Sequence, residues 1–327
     1  MAKTSRQTQK PHNFKPDIIV SFTVPDEPSP AMLAATPDSE SESNGDTAKV
    51  TLLPFLYASM QDRPKRTVKN YLRHNQVRVN RHVTSQFDYQ LMPGDLVEVN
   101  TSREWQVFSH PRVKIIYEDD DIIVINKGYG LLSMASDRER ETTAYAILKD
   151  YVKRVDPRAK LFIVHRLDQH TSGLMMFAKT VSAKETMQHN WNNMVLDRRY
   201  AAVVEGAPEP AEGVIDTLLA ENSRHVVYVP KEGTPDAVRA VTRYKTVKTR
   251  GRYALMDVTL DTGRKNQIRV HLKHIGTPIV GDRKYGATTS PIHRLALHAR
   301  TLRFVHPVTR RDMNFTIPLP SSFSKLV

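Results

Sequence analysis

The feature that most constrains the fold is a polar loop between two short apolar runs near the middle of the chain. The runs Phe162–Val164 and Leu174–Ala178 enclose residues 165–173, which include histidine, arginine, aspartate, threonine, serine and glycine. Apolar runs of this length, bounded by a turn that contains glycine, predict two strands joined by a loop. Loops held by rigid strands often carry functional side chains, so Asp168 is the first candidate for a reacting group. Local composition alone still favours a structural turn, because Asp, Thr, Ser and Gly are common turn residues.

Composition narrows the classes of protein that this chain can belong to. It has 327 residues, no cysteine and a formal net charge of +13. Without cysteine it can form no disulfide, no thiolate metal site and no thiol nucleophile. The excess of positive charge favours a polyanionic partner, and nucleic acid fits better than an anionic membrane because no basic amphipathic helix with a strong apolar face stands out.

The targeting signals of secreted and membrane proteins are not recognisable in the sequence. No apolar run is long enough to span a bilayer, and the first ten residues lack the apolar segment of a secretory signal. The acidic stretch 38–46 also disfavours a transit peptide. We therefore expect a cytoplasmic protein that does not associate with membranes.

Shifts in composition predict three regions. Residues 1–50 contain prolines and a Ser/Glu/Asp cluster with little apolar periodicity, which predicts a largely disordered tail with a short ordered piece near residues 18–24. Residues 51–108 are expected to form a small α/β domain. Residues 109–327 are expected to form a larger domain, because short strands and helices alternate there around several motifs.

The small domain contains a dense run of positive charge. Between Arg63 and Arg81 there are seven basic residues and no acidic residue. A solvated helix face is the usual explanation for such a run, but in a basic protein without alternating charge RNA contact is the better interpretation. The run is followed by Asn75–Asn80 and by a Pro93-Gly-Asp95 turn, and this arrangement resembles an S4-type RNA-binding domain. The residues expected to contact RNA are Lys65, Arg66, Lys69, Arg73 and Arg78.

The larger domain is predicted to be α+β, with a mixed but mostly antiparallel sheet, flanking helices and a central cleft. Consecutive strands joined by short turns favour antiparallel pairing over a doubly wound parallel sheet. Helices are predicted at residues 142–155, at residues 182–194 and after Asn266, which is a suitable N-cap residue. Arg269 lies off the apolar stripe of that last helix, where a guanidinium could hold a carboxylate in two hydrogen bonds.

The loop and its companion motifs resemble those of RluA-type pseudouridine synthases. The run His165-Arg-Leu-Asp-x-x-Thr-Ser-Gly-Leu174 is similar to the signature loop of that family. An Asn-Lys-x-x-Gly-Leu turn at residues 126–131 precedes it, a basic-Tyr strand at 198–200 follows it, and a Thr-Gly-Arg-x-x-Gln-Ile-Arg-x-His run begins at Thr262. The chain departs from the family pattern at Gly128, where Pro is usual, and at Asn266, where His is commoner.

The resemblance implies a role for each matching residue. Asp168 corresponds to the catalytic aspartate, Tyr200 to the aromatic residue that stacks on the target uracil, and Arg269 to the cation paired with Asp168. Arg166 would fill the space that a flipped nucleotide leaves. The remaining residues expected to contact substrate or RNA are His165, Leu167, Lys127 and Arg264.

Other chemistry is less consistent with the sequence. Glycosidic hydrolysis would need a second carboxyl group at a defined separation, and base deamination would need cysteine ligands for zinc. We expect no cofactor, since isomerisation needs no redox group, and no metal, although His271 and His274 share one helix face. Asp168 could attack C1′, attack C6 or remove a proton, and the sequence leaves these routes open.

The expected partner is a structured RNA, with large-subunit ribosomal RNA preferred and transfer RNA as the alternative. A non-catalytic RNA-binding or ribosome-assembly factor on the same scaffold is a second class of function. A DNA-binding role is the third, but the chain shows no helix-turn-helix or finger pattern. We expect a monomer.

Overall fold

The computed structural model describes residues 18–32, 50–80, 82–105, 108–135 and 143–327. The chain divides into two compact units, Met1–Val107 and Phe108–Val327. The predicted disorder of residues 1–50 falls mostly outside the described residues.

The N-terminal unit is a small four-stranded antiparallel sheet with two α-helices. Its strand order is β1-β4-β2-β3. The elements are β1 (Ile19–Thr23), α1 (Leu52–Ser59), α2 (Lys65–Arg73), β2 (Val77–Val79), β3 (His82–Val83) and β4 (Leu96–Asn100), with a short 3-10 helix at Pro30–Met32. Strand β1 pairs with β4 along its full length, so the ordered piece near residues 18–24 belongs to this unit, and the prediction that the unit begins at residue 51 is corrected. The S4-type identity of the unit stays a prediction.

Helix α2 has two chemically different faces. Val68, Tyr71 and Leu72 are buried against α1 and the sheet, as their helical spacing predicts. The cations of the run between Arg63 and Arg81 that lie on this helix are left at the surface. Burial of the apolar face therefore fixes which side of the helix carries positive charge.

The described residues of the C-terminal unit form eleven strands in one sheet. They are β5 (Val113–Glu118), β6 (Ile122–Lys127), β7 (Phe162–Ile163), β8 (Ser172–Ala178), β9 (Val195–Glu205), β10 (Glu212–Glu221), β11 (Val227–Tyr228), β12 (Val238–Arg250), β13 (Tyr253–Leu260), β14 (Leu297–Val305) and β15 (Asp312–Thr316). The helices are α3 (Ala144–Val155), α4 (Val181–Met194), α5 (Gln267–His274) and α6 (Ser321–Ser324), with a 3-10 turn at Arg283–Tyr285.

The sheet confirms the predicted fold class. The strand order is β11-β10-β12-β13-β9-β14-β8-β6-β5, with β15 beside β14 and β7 beside β8. Among the strand pairs of the described residues, only β8 and β14 run parallel. The unit is therefore α+β with a mostly antiparallel sheet. No helix within the described ranges is both long and apolar enough to cross a membrane.

Strand β8 is the best buried strand of this sheet, and it directly follows the polar loop. Met175 and Phe177 pack in a cluster with residues of α3, while Leu174 and Met176 pack in another cluster with residues of α4. Full burial of a side chain such as Phe177 contributes roughly 2–3 kcal/mol. The loop that carries Asp168 is thus attached to one of the most rigid parts of the fold.

Candidate active site

The loop before β8 is held by hydrogen bonds from other segments of the unit. The Ser133 hydroxyl donates to the Leu167 carbonyl at 2.6 Å and accepts from the Leu167 amide at 3.1 Å. The Thr171 amide donates to the Asp168 carbonyl at 3.1 Å. These bonds fix the backbone on both sides of Asp168. The carboxylate itself is half-buried and faces a cavity.

Lys127 supports the same loop from beneath. Its ammonium group donates to the carbonyl oxygens of Leu131 at 2.7 Å, Gly128 at 3.2 Å and Gln169 at 3.3 Å. Burial lowers the pKa of this amine to about 7, although the charge of Asp168 opposes that effect. The side chain is 0% exposed, so the prediction that Lys127 contacts RNA is wrong. A lysine at the end of a strand is normally solvated. Here the carbonyl groups of the following turn and of Gln169 surround the amine.

His165 and Leu167 also serve the fold. The Nε2 atom of His165 accepts the amide of Met176 at 3.0 Å, and its ring packs on Trp191 with centroids 4.9 Å apart. Burial, followed by the charge of Arg198, lowers the pKa of His165 to about 3. Leu167 is 5% exposed and packs in the core beside α3. The prediction that the Leu167 side chain contacts RNA is therefore corrected, because that side chain is buried. The Nε2 atom of His165 already accepts a backbone hydrogen bond, and an RNA contact of His165 stays a prediction.

The cavity brings together residues from motifs that lie far apart in the sequence. It has a volume of about 620 Å³ and is lined by Asp168, Tyr200 and Arg269. Tyr200 projects from β9, and burial together with the charge of Asp168 raises the pKa of its phenol against the opposing effect of Arg198. The charge of Asp168 also contributes to the raised pKa of Arg269. The three residues to which the resemblance gives roles at the reacting uridine therefore line one cavity.

Arg269 has a different partner from the one predicted. Its Nε and Nη2 atoms donate to the two carboxylate oxygens of Asp282, each at 2.7 Å, and Nη1 donates to Asn266 Oδ1 at 2.9 Å. Burial alone would lower the pKa of Arg269, but the hydrogen bonds and charge of Asp282 outweigh it and raise that pKa. The predicted pairing with Asp168 is corrected, because no ion pair or hydrogen bond joins the two side chains in the described part of the chain.

Asn266 occupies the N-cap position of α5, as predicted, but it does not cap the helix with its side chain. Its backbone is left-handed at φ 54°, and its side chain makes no capping hydrogen bond. The side chain supports Arg269 instead, so the turn before α5 orients a guanidinium at the wall of the cavity.

The charged residues of the cavity lining are mostly cations. Arg166 and Arg264 are both exposed on this lining, as predicted for residues that contact RNA. Asp261 is a second acid there, but its carboxylate is bound by Arg243 at 2.8 Å. The cations of the lining are Arg166, Arg198, Arg264, Lys265 and Arg269.

The basic residues of the N-terminal unit fall into two groups. Lys65, Arg66 and Arg73 are exposed and Lys69 is half-buried, with its ammonium 5.5 Å from the centre of the Phe87 ring. Arg78 differs, since it donates to both carboxylate oxygens of Glu98 at 2.7 and 2.8 Å. Its guanidinium also lies 3.8 Å from the centre of the Trp105 ring. Two of the five N–H donors of Arg78 are thus used within the unit, and its contact with RNA stays a prediction.

Two groups with metal-ligand chemistry are occupied by protein partners. His306 Nε2 lies 2.9 Å from Asp119 Oδ2, while its Nδ1 accepts the amides of Val308 and Thr309. Asp121, the third member of that group, accepts from Thr180 at 3.0 Å. His271 is fully buried between the hydroxyls of Thr242 and Thr217, and burial lowers its pKa to about 4. The contacts of both groups fit a structural role.

Three residues of the site were missed by the sequence analysis. Asp282 lies in the run Gly281-Asp-Arg-Lys-Tyr-Gly286, whose single acid between two glycines was an available signal. Ser133 and Trp191 had no such signal, because a lone serine after a turn and a tryptophan at a helix end are common in any fold.

Comparison with known proteins agrees with this geometry. Residues 121–274 match the family model described as RNA pseudouridylate synthase. The chain is 36% identical over 251 residues to YjbO, an uncharacterised RNA pseudouridine synthase of Bacillus subtilis, covering 75% of this chain and 87% of that protein. It is 33% identical over 282 residues to the Haemophilus influenzae protein named ribosomal large subunit pseudouridine synthase D, covering 80% and 85%.

A solved structure shows the same relationship. Human RNA pseudouridylate synthase domain containing 4 aligns with a TM-score of 0.53 and 26% identity, covering 64% of this chain and 90% of that one. The resemblance predicted from the loop and its companion motifs is thereby confirmed. The chain belongs to the RNA pseudouridine synthase family, the enzymes that isomerise uridine in RNA to pseudouridine.

Proposed function

We propose that this chain converts a uridine of large-subunit ribosomal RNA into pseudouridine, with Asp168 as the reacting carboxylate. The observation that carries the proposal is the setting of Asp168. It lines a cationic cavity with Tyr200 and Arg269, and its carboxylate has no hydrogen bond or ion pair to a side chain of the described residues. The other acid of the cavity, Asp261, is bound by Arg243. Asp168 is therefore the carboxylate that remains available to a substrate.

The reaction requires one bond to break and another to form on the same nucleotide. The N1–C1′ bond of uridine is cleaved, the base turns, and C5 joins C1′, while C5 loses a proton and N1 gains one. Asp168 serves this sequence by attack at C1′, by attack at C6 or by removing a proton, since all three use the same carboxylate. The fixed backbone on both sides of Asp168 supports each route, because correct positioning is a large part of catalysis.

The neighbouring side chains are suited to holding the base outside its stack. Removing a base from a helix costs a few kcal/mol, and stacking on an aromatic side chain recovers part of that cost. Tyr200 offers the aromatic surface beside Asp168. Arg166, exposed two residues before Asp168, has the length and charge to occupy the vacated position in the RNA. Arg269, held by Asp282, contributes a fixed positive charge near the reacting carboxylate.

The proposed substrate is favoured by two observations. The related Haemophilus influenzae protein is named for the large ribosomal subunit. The N-terminal unit of this chain carries exposed cations along α2, which suit a large structured RNA. Transfer RNA is the alternative substrate. The proposal further includes a cytoplasmic monomer that works without a metal or a cofactor.

The test is pseudouridine formation in ribosomal and transfer RNA isolated from cells without this gene. We expect the purified protein to convert a uridine of the ribosomal RNA and the Asp168→Asn variant to leave it unchanged. Asp216→Asn is the matched control, because it removes the same charge at an exposed position where Asp216 pairs with Arg239. Full activity of Asp168→Asn would refute the role of Asp168, and conversion restricted to transfer RNA would refute the ribosomal substrate.

A further inference from the structure

A second, smaller cavity adjoins the one that contains Asp168. Its volume is about 170 Å³, and neither Asp168 nor Tyr200 lines it. The two cavities share the residues Trp191, Asn192, Arg198, Leu260 and Asp261. The proposed reaction does not use this second cavity.

Trp191 is an aromatic residue that lines both cavities. It lies near the end of α4, directly after Asn190, whose φ of −117° interrupts the helix. Its ring packs on His165, and the Met176 amide fixes that imidazole. The guanidinium of Arg198 lies 5.9 Å from the centre of the Trp191 ring. Trp191 is half-buried and lines both cavities, so part of its surface faces them.

Asn192 provides polar recognition at the same place. It is exposed, and its side-chain amide makes no hydrogen bond with the part of the protein that the structure describes. An amide offers two donors and a carbonyl acceptor, a combination that can pair with the edge of a nucleobase. Both acids of this lining are paired, Asp261 with Arg243 at 2.8 Å and Asp197 with Arg199 at 2.7 Å, which reduces their repulsion of a polyanion.

The size of the second cavity fits one base. A protein cavity of about 150 Å³ accommodates benzene, so 170 Å³ is enough for a pyrimidine ring. Aromatic stacking combined with hydrogen bonding to base edges is the usual way in which proteins bind single-stranded RNA. We propose that Trp191 and Asn192 bind the base of a nucleotide next to the target uridine. This site rests on the proposed function, because it presumes that the larger cavity receives that uridine.

The test uses an RNA oligonucleotide around the mapped uridine and two versions of it, each with an abasic residue at one neighbouring position. Binding is measured with Asp168→Asn protein by tryptophan fluorescence, which is informative because the chain has only two tryptophans. The signal that disappears in Asp168→Asn/Trp191→Phe belongs to Trp191. We expect the complete RNA to quench that signal. One of the abasic versions should not quench it and should bind about ten-fold more weakly.

A second measurement separates recognition from a structural effect. With the four natural bases at the position identified, wild-type protein should discriminate among them, and Asn192→Ala should lose that discrimination. An equal loss of rate on all four RNAs would indicate a structural role and would refute the proposal. Equal quenching by the complete and both abasic RNAs would also refute it. If wild-type protein converts no uridine in the complete RNA, the proposed function itself fails, so the two failures can be distinguished.

Discussion

Arg269 and Asp282 form a bidentate ion pair, with both hydrogen bonds at 2.7 Å, at the wall of the cavity that contains Asp168. Only 11% of the Arg269 side chain and 1% of the Asp282 side chain are exposed. The guanidinium also lies 4.8 Å from the centre of the Tyr285 ring. A buried pair with this geometry holds the arginine in one orientation. Asp282 therefore determines the position of the Arg269 guanidinium relative to Asp168.

Asp282→Asn should damage both stability and activity. The substitution leaves the buried Arg269 cation without its partner, which typically costs about 3 kcal/mol or more. Because Arg269 would no longer be fixed, we also expect the rate of pseudouridine formation to fall roughly 10-fold to 100-fold. Urea unfolding and a single-turnover assay at a temperature where the variant is folded measure the two effects.

The matched control breaks an exposed pair of the same chemistry. Asp312→Asn removes the partner of Arg303, where both side chains are about half exposed. We expect a stability change within the range of ordinary surface substitutions and no loss of activity. Equal stability losses for Asp282→Asn and Asp312→Asn would contradict the role assigned to the buried pair.

A substitution at Gly173 tests how closely the polar loop and the start of β8 pack against the sheet. Its φ is +118°, and a Cβ atom there would overlap the backbone carbonyl oxygen of Ala299 on the parallel neighbour β14. Gly173→Ala should cost about 3 kcal/mol in the free energy of unfolding, from overpacking combined with backbone strain. Gly206→Ala is the control, because Gly206 also has a positive φ but no heavy atom within 4 Å of the added Cβ. Strain alone should cost roughly 1 kcal/mol there, and similar losses at both positions in urea unfolding would contradict the close approach.

The parts of the site that were predictable from the sequence depend on local patterns. Two apolar runs around a polar loop are enough to predict the strands on either side of Asp168, and the ordered motifs predict that Tyr200 and Arg269 join it. The partner of Arg269 depends on a left-handed turn at Asn266 and on the position of a separate segment, which no local pattern encodes.

The buried lysine shows the same limit. Lys127 ends a strand, where a lysine is normally solvated, and only the three-dimensional arrangement of three carbonyl groups encloses its amine. The prediction that Arg78 contacts RNA likewise took no account of Glu98. Glu98 lies on β4, which pairs with the strand of Arg78, and no local pattern reveals that pairing. Tertiary contacts thus bury Lys127 and engage part of Arg78 without changing the predicted fold.

Lys127 should make the stability of the protein depend on pH above neutrality. Its pKa is about 7 in the folded protein and 10.5 as an ordinary lysine, so between these values the unfolded chain binds one more proton. Unfolding that takes up a proton becomes less favourable as pH rises, so this lysine's contribution to stability increases with pH from about 7 upward. Relative to Lys127→Met, the wild type should gain about 1.4 kcal/mol per pH unit between roughly pH 7 and pH 10.

The measurement is urea unfolding of both proteins across that range. Because the charge of Asp168 raises the pKa of Lys127, Asp168→Asn should move the onset of the gain to lower pH. Parallel stability curves for the wild type and Lys127→Met would contradict the lowered pKa.

The exposed cations of α2 should determine part of the salt dependence of RNA binding. Lys65, Arg66 and Arg73 are exposed, and if each neutralises one phosphate, changing all three to Gln should reduce the slope of log affinity against log salt by about 2–3. Arg239, Lys245 and Arg303 provide the control, because the same three charges are removed but each cation already pairs with a carboxylate, at 2.5, 2.9 and 2.5 Å. Filter binding of a ribosomal RNA fragment from low to physiological salt measures both slopes. We expect the control variant to lose less than about one unit of slope, since cations that are already paired release fewer counterions from the RNA. Equal slopes for the two triple variants would show that α2 binds phosphate no better than a neutralised surface and would remove the N-terminal unit from the proposed RNA interface.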